Sequence, residues 1–247
     1  MKLNKIEPKY ISKSNPRIGL ITLGSDFRIE KDFNNIIYGR DIDLYVNRIH
    51  CYNPLTNETL ANMAEDITEV TKDILPDQKL DCVAYGCTSG TVAAGYDVIK
   101  EKIHLAKPEA KVTTPITSAI KSLKVLGINK ISIFTPYTKT INDSVVSYFE
   151  KKNIIINSLT YFDIDSDLDI GKVDEGYLFE VLSKIDLEDS DALFVSCTAL
   201  PVLSIINKLE KKLNKVVLSS NQTLIWDSLN AIDYKEKIDG FGKLFNS

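Results

Sequence analysis

Asp81-Cys82-Val83-Ala84-Tyr85-Gly86-Cys87-Thr88 is a short apolar run that ends in a small-residue turn carrying a thiol. Farther along, Asp191-Ala192-Leu193-Phe194-Val195-Ser196-Cys197-Thr198 follows the same plan: aspartate, five residues, then Cys-Thr, at an offset of 110 from Cys87 to Cys197. Arg17-Ile18-Gly19-Leu20-Ile21-Thr22 has a counterpart in Lys130-Ile131-Ser132-Ile133-Phe134-Thr135, offset 113. A weaker pair is Lys111-Val112-Thr113-Thr114 and Lys215-Val216-Val217-Leu218, offset 104. Three echoes in the same order read as a duplicated unit.

The rest of the chain fits that unit. Strands are expected at Ile18–Leu23, Ile42–Ile49, Leu80–Tyr85, Lys130–Thr135, Ile154–Leu159, Ala192–Ser196 and Val216–Leu218. Helical periodicity falls between them, at Asn57–Ile74, Thr91–Leu105, Thr117–Leu126, Asn142–Lys151, Glu175–Ile185, Val202–Leu213 and Thr223–Leu229. Short continuous apolar strands alternating with helices argue for parallel sheets covered on both faces. The expected fold is α/β, with two pseudo-symmetric parallel-sheet lobes and the active site in the cleft between them. Residues 1–113 with 218–247 form the first lobe in this reading, and 114–217 the second.

Composition narrows the function. With 30 Lys+Arg against 34 Asp+Glu, the net charge of −4 lacks the footprint of a nucleic-acid binder. No apolar run approaches the roughly 18 residues of a membrane span. The polar start, Met1–Pro16, has no hydrophobic signal core, so a cytoplasmic location is expected. Four cysteines (Cys51, Cys82, Cys87, Cys197) and two histidines, without paired C-x-x-C spacing, suit neither a disulfide framework nor a zinc site. Nucleotide-binding glycine signatures are absent. No cofactor is expected.

Open α/β sheets bind ligands at the carboxyl ends of their strands. Duplication therefore brings the two Cys-Thr turns into one cleft. An isolated cysteine at a strand end is more often packing, and Cys51 and Cys82 are read that way. A repeated Cys-Thr is different. Each thiol is expected at a helix N-terminus, where N–H groups and the helix dipole lower its pKa. A thiol and a thiolate flanking one carbon can exchange a proton between its faces. Alternatively, one thiolate can add to an activated double bond while the other handles the proton.

At these residues the chain resembles the Asp/Glu/hydantoin racemase superfamily, in its branch holding maleate cis-trans isomerase, arylmalonate decarboxylase and the EutA-like proteins. The carriers are Arg17-Ile-Gly-Leu-Ile with Gly24-Ser-Asp26, Tyr85-Gly-Cys-Thr-Ser-Gly90, Phe134-Thr-Pro-Tyr137, Val195-Ser-Cys-Thr198 and Ser219-Ser-Asn-Gln222. The resemblance implies that Cys87 is the nucleophile and Cys197 the proton donor or acceptor. It implies that Thr88, Ser89, Tyr137 and Thr198 hold a small carboxylic acid. It also implies a homodimer or larger homo-oligomer.

Two departures bear on the substrate. Maleate isomerases carry Asn where this chain has Asp26; a carboxylate there suits an ammonium and repels a dicarboxylate. They carry a further Asn where this chain reads Asp163-Ile-Asp-Ser-Asp-Leu-Asp169, a run that either faces solvent or selects a cationic or uncharged arm. Arylmalonate decarboxylase keeps only the second cysteine, so Cys87 favours isomerisation or racemisation over decarboxylation. A decarboxylase using Cys197 and a non-enzymatic small-acid binder remain as alternatives. The polar stretch Phe27–Asp41 is expected to be a flexible lid, with Arg28 or Arg40 able to reach a carboxylate.

Overall fold

A computed structural model describes residues 1, 3–11, 14–187 and 189–247. The elements of the first half are β1 (Arg17–Leu23), α1 (Ile29–Ile37), β2 (Asp43–Ile49), α2 (Asn57–Asn62), α3 (Ile67–Lys72), β3 (Cys82–Gly86), α4 (Thr88–Ala94), α5 (Tyr96–His104), β4 (Lys111–Thr113) and α6 (Pro115–Val125). Those of the second half are β5 (Lys130–Thr135), α7 (Lys139–Glu150), β6 (Ile155–Tyr161), α8 (Asp167–Gly171), α9 (Glu175–Leu182), β7 (Ala192–Val195), α10 (Ile206–Leu213), β8 (Val216–Ser219) and α11 (Ser220–Ala231).

Among the described residues, eight strands form two four-stranded sheets, ordered β2-β1-β3-β4 and β6-β5-β7-β8. Every pairing is parallel. The two orders are the same path drawn twice, as the duplicated unit requires. Register makes the match residue by residue. Ile18 lies opposite Cys82, and Ile131 opposite Ala192, so Ile18 corresponds to Ile131 and Cys82 to Ala192. Those offsets are 113 and 110, the offsets of the two stronger echoes. The weaker echo slips by one: Lys111 pairs with Cys82 and Val216 with Ala192, an offset of 105 rather than 104. A strand of three or four residues carries too few side chains to fix its own register.

Burial explains why the inner strands read clearly. β3 and β7 are buried throughout, so they are continuously apolar. The edge strand β6 is exposed or half-buried along its length. Two expected helices are interrupted. Asn57–Ile74 is broken by a 3-10 turn over Met63–Asp66. Thr91–Leu105 is split at Gly95, whose φ of +88° ends α4.

The expectation that Phe27–Asp41 is a flexible stretch throughout is overturned for its middle, Ile29–Ile37. The segment holds α1, whose Ile29, Phe33 and Ile36 are fully buried. These residues stand at i, i+4 and i+7, one face of a helix. Phe33→Ala is expected to cost about 3–5 kcal/mol of stability, as for a core aromatic; a urea titration checks it, and a change within a few tenths would restore the lid.

The carboxyl ends of the strands gather several short segments. β1 and β3 finish together, with Thr22 opposite Gly86, so Gly24–Asp26 and Cys87 both follow from one edge of the first sheet. β5, β7 and β8 finish together, which brings Tyr137, Cys197 and Ser220 to one edge of the second sheet. α11 starts at that edge and packs against β3, β4 and α6 of the first half, so it ties the halves together. Among the described residues no helix is long and apolar enough to cross a membrane.

Candidate active site

Cys87 is the N-cap of α4. Its extended backbone turns the side chain back over the first turn, where Sγ accepts a hydrogen bond from Gly90 N at 3.2 Å. The Ser89 hydroxyl lies 3.9 Å from the same sulfur. Gly90 is required by close approach: a β-carbon there would stand 2.8 Å from the Cys87 sulfur and 2.9 Å from the Tyr85 hydroxyl. The thiol is thus backed by a glycine on one side and a hydroxyl on the other.

Cys197 is held differently. No helix starts at it; the chain passes through a loop before the turn at Leu203–Ile205 that leads into α10. The expectation of a second helix N-terminus is therefore wrong. Pro201 fits that loop, and α10 begins only at Ile206. Cys197 instead has a φ of +101°, a region that side-chain-bearing residues rarely adopt. Its N–H donates to Ser220 Oγ at 3.0 Å.

Hydroxyls join the two turns. Thr88 donates to the same Ser220 oxygen at 2.8 Å. Thr198 donates to Gly86 O at 3.3 Å, one residue before the first thiol. The Tyr137 ring is buried, its hydroxyl 3.5 Å from Ser196 Oγ, and both thiols bear on its ionisation. Cys87, Cys197, Thr88, Ser89, Tyr137 and Thr198 therefore share one buried region where the strand ends of the halves meet.

Asp26 joins them from β1. Its Oδ1 accepts from Arg28 N at 2.7 Å and Ile29 N at 3.1 Å, which anchors the start of α1. Its charge bears on Cys197. The acidic run 163–169 does not simply face solvent. Asp167 is 3 % exposed and accepts a 2.5 Å bond from the Ser25 hydroxyl. It acts on both Cys87 and Cys197. Its neighbours Asp163, Asp165 and Asp169 are exposed. Ser25, Asp167 and Ser220 escape the sequence reading as individual residues. A signal that could have found one of them is Ser166, whose side chain accepts from Asp169 N and starts the helix that carries Asp167.

The site is shut. Arg28 donates from Nε and Nη2 to Gly171 O at 3.3 and 3.0 Å, and Phe27 lies where a β-carbon on Gly171 would be 2.6 Å from its ring. With Ser25–Asp167, these contacts close the end of α8 over the start of α1. Arg40 lies elsewhere, bonded to Ile36 O, Tyr38 O and Tyr234.

Closure decides the electrostatics. Burial raises the Cys87 pKa, and the Gly90 N–H only partly offsets it. Burial raises Cys197 well above its ordinary value too, with Asp167 adding to the effect. The expected lowering of both thiols is overturned, because desolvation outweighs one N–H donor. The carboxyls follow suit. Burial pushes Asp167 from 3.8 up to about 6, and Asp32, bonded by Asn221 Nδ2 at 2.8 Å, up to about 7.

A carboxyl whose pKa is raised by folding stabilises the native state fully below its unfolded value, and that stability is lost as pH rises through the folded value. For Asp167 the window is 3.8 to about 6. The loss across it is on the order of 3 kcal/mol. Urea midpoints from pH 4 to 7 should fall more steeply for the native protein than for Asp167→Asn; equal slopes would show that Asp167 is solvated.

Comparison with known proteins follows the same lines. The profile of the arylmalonate decarboxylase family matches residues 51–245. A maleate isomerase of Geobacillus stearothermophilus is 24 % identical over 245 residues, covering 93 % of this chain and 97 % of its own. The crystal structure of the maleate isomerase Iso from Pseudomonas putida S16 superposes with a TM-score of 0.86 at 22 % identity, over 94 % of this chain and 98 % of that one. A Nocardia farcinica maleate cis-trans isomerase, solved as a cysteine-to-serine mutant with a covalently bound succinylcysteine intermediate, gives 0.86 at 19 % identity, over 94 % and 98 %. At these identities the structures establish the fold. The profile covers more than three quarters of the sequence, including both thiol turns, and this chain belongs to the arylmalonate decarboxylase family.

Proposed function

We propose that this protein is a cofactor-independent cis-trans isomerase of a small unsaturated carboxylic acid, working through Cys87 and Cys197. The observation that carries the reading is the Ser220 hydroxyl, which accepts from both Thr88 and the Cys197 amide and so holds the two thiol turns against each other. The relatives named maleate isomerase support the reaction class.

The Cys87 thiolate adds to the alkene carbon β to the carboxylate. A C–S bond forms, the π pair moves onto the α-carbon and into the carboxylate, and the former double bond becomes a single bond. Rotation about it exchanges cis for trans. Cys197 gives a proton to the α-carbon and takes it back; the C–S pair then returns to sulfur, the alkene re-forms, and no atom is gained or lost. Thr88, Ser89, Thr198 and Tyr137 hold the carboxylate on which charge develops. Burial raises both thiols, so formation of the Cys87 thiolate requires its proton to pass to solvent before the site is closed around the substrate. The Gly90 N–H then steadies the thiolate.

Decarboxylation is the weaker reading, because a second thiol has no use there. We take the protein to be a cytoplasmic homo-oligomer, a dimer or larger. The test of function is proton NMR in deuterated buffer with maleate and related cis-enoates. Appearance of the trans vinyl signal supports isomerisation; carbon dioxide release from an arylmalonate without it would replace this reading.

A further inference from the structure

Around the thiols, three buried side-chain oxygens lack a hydrogen-bond partner, and one of them, Thr22 Oγ1 opposite Gly86 on β1, can donate as well as accept. Asp26 Oδ2 and Asn221 Oδ1 are buried and have no hydrogen-bond partner. Both are acceptors. Asp26 is 1 % exposed and Asn221 2 %. They belong to one cluster: Asn221 Nδ2 donates to Thr198 O at 2.8 Å, and the Thr198 hydroxyl bears on the Asp26 charge. Asp26 in turn bears on Asp167, Asp32 and Cys197.

The cations that act on these carboxylates are turned to other partners. Arg48 Nη1 donates to Leu23 O and Asp26 O, and its Nη2 pairs with Glu30 at 2.7 Å. Arg28 donates to Gly171 O. Lys31, which also bears on Asp32, is exposed. Among the described residues, no three His, Cys, Asp or Glu side chains are grouped to hold a metal ion. A buried acceptor without a donor is costly, and above the raised pKa of Asp167, about 6, a second anionic arm would meet like charge with no cation aimed at it.

We propose that the substrate carries one carboxylate and, across the double bond, a nitrogen-bearing arm that donates hydrogen bonds, an ammonium or a primary amide, received by Asp26 Oδ2 and Asp167. This rests on the isomerase reading above and names its substrate class. Asp26 and Asp167 are specificity residues in this scheme, and the thiol chemistry is unchanged.

Three cis-enoates of the same carbon skeleton differ only in that arm: maleate (carboxylate), maleamate (amide) and cis-4-aminocrotonate (ammonium). Proton NMR of the vinyl signals gives kcat/KM for each. The native protein is expected to prefer at least one nitrogen-bearing probe over maleate by roughly 10-fold or more. Asp167→Asn, which keeps an acceptor for Ser25, should lower that ratio at least several-fold by raising turnover of maleate. The amide and ammonium arms then separate hydrogen bonding from charge. Native protein that converts maleate best, or Asp167→Asn with an unchanged ratio, overturns the assignment and leaves the isomerase intact. Silence on all three probes removes the isomerase reading and this one together.

Discussion

Cys87→Ser should lower turnover roughly 10³-fold or more while leaving the protein folded. The substitution keeps the shape of the N-cap, and the serine oxygen can still accept from Gly90 N, so α4 keeps its first turn. What is lost is the group we propose as the nucleophile. A serine hydroxyl is far harder to ionise than a thiol, and Ser89, 3.9 Å from the sulfur, is another hydroxyl and no base. Steady-state rates with a circular-dichroism melt check both halves of the expectation. Activity within tenfold of the native protein would remove Cys87 from the chemistry.

Cys197→Ser should also stop turnover, by roughly 10²–10⁴-fold, the range of a lost general acid or base. Its signature differs. With Cys87 intact the addition step survives; the α-carbon then takes its proton from water, and with no thiolate at 197 to remove it the thioether should accumulate and appear by intact-mass spectrometry as protein plus one substrate. The same treatment of Cys87→Ser should show no added mass. An adduct on Cys87→Ser and none on Cys197→Ser would reverse the two roles. Serine at 197 inherits a strained backbone, φ +101°, as does cysteine, so the comparison is not confounded by relief of that strain.

Much of the fold is legible because buried parallel strands must be apolar along their whole length, and the Cys-Thr echo marks equivalent strand ends. The thiol turns are legible for the same reason. α1 is less so, although Ile29, Phe33, Ile36 and Ile37 keep helical spacing, because Lys31, Asp32, Asn34 and Asn35 between them make the stretch look solvated. Asp167 is hidden by its neighbours: four aspartates stand in seven residues, and only the long-range bond from Ser25, 142 residues away, distinguishes the buried one. The sign of the thiol pKa could not be read at all. A motif shows the N–H donor; the depth of burial that overrides it is a property of the whole fold.

The closure of α8 over α1 has a consequence for survival as well as for chemistry. Thiolates are what peroxides and electrophiles attack, and neutral, buried thiols react slowly with them. A resting enzyme latched by Arg28–Gly171 and Ser25–Asp167 hides its two most vulnerable sulfurs from the oxidants around it. Substrate or oxidant can reach them only when these contacts part. Oxidative damage to such a protein should therefore track how often it opens, and saturating ligand should act as a preservative.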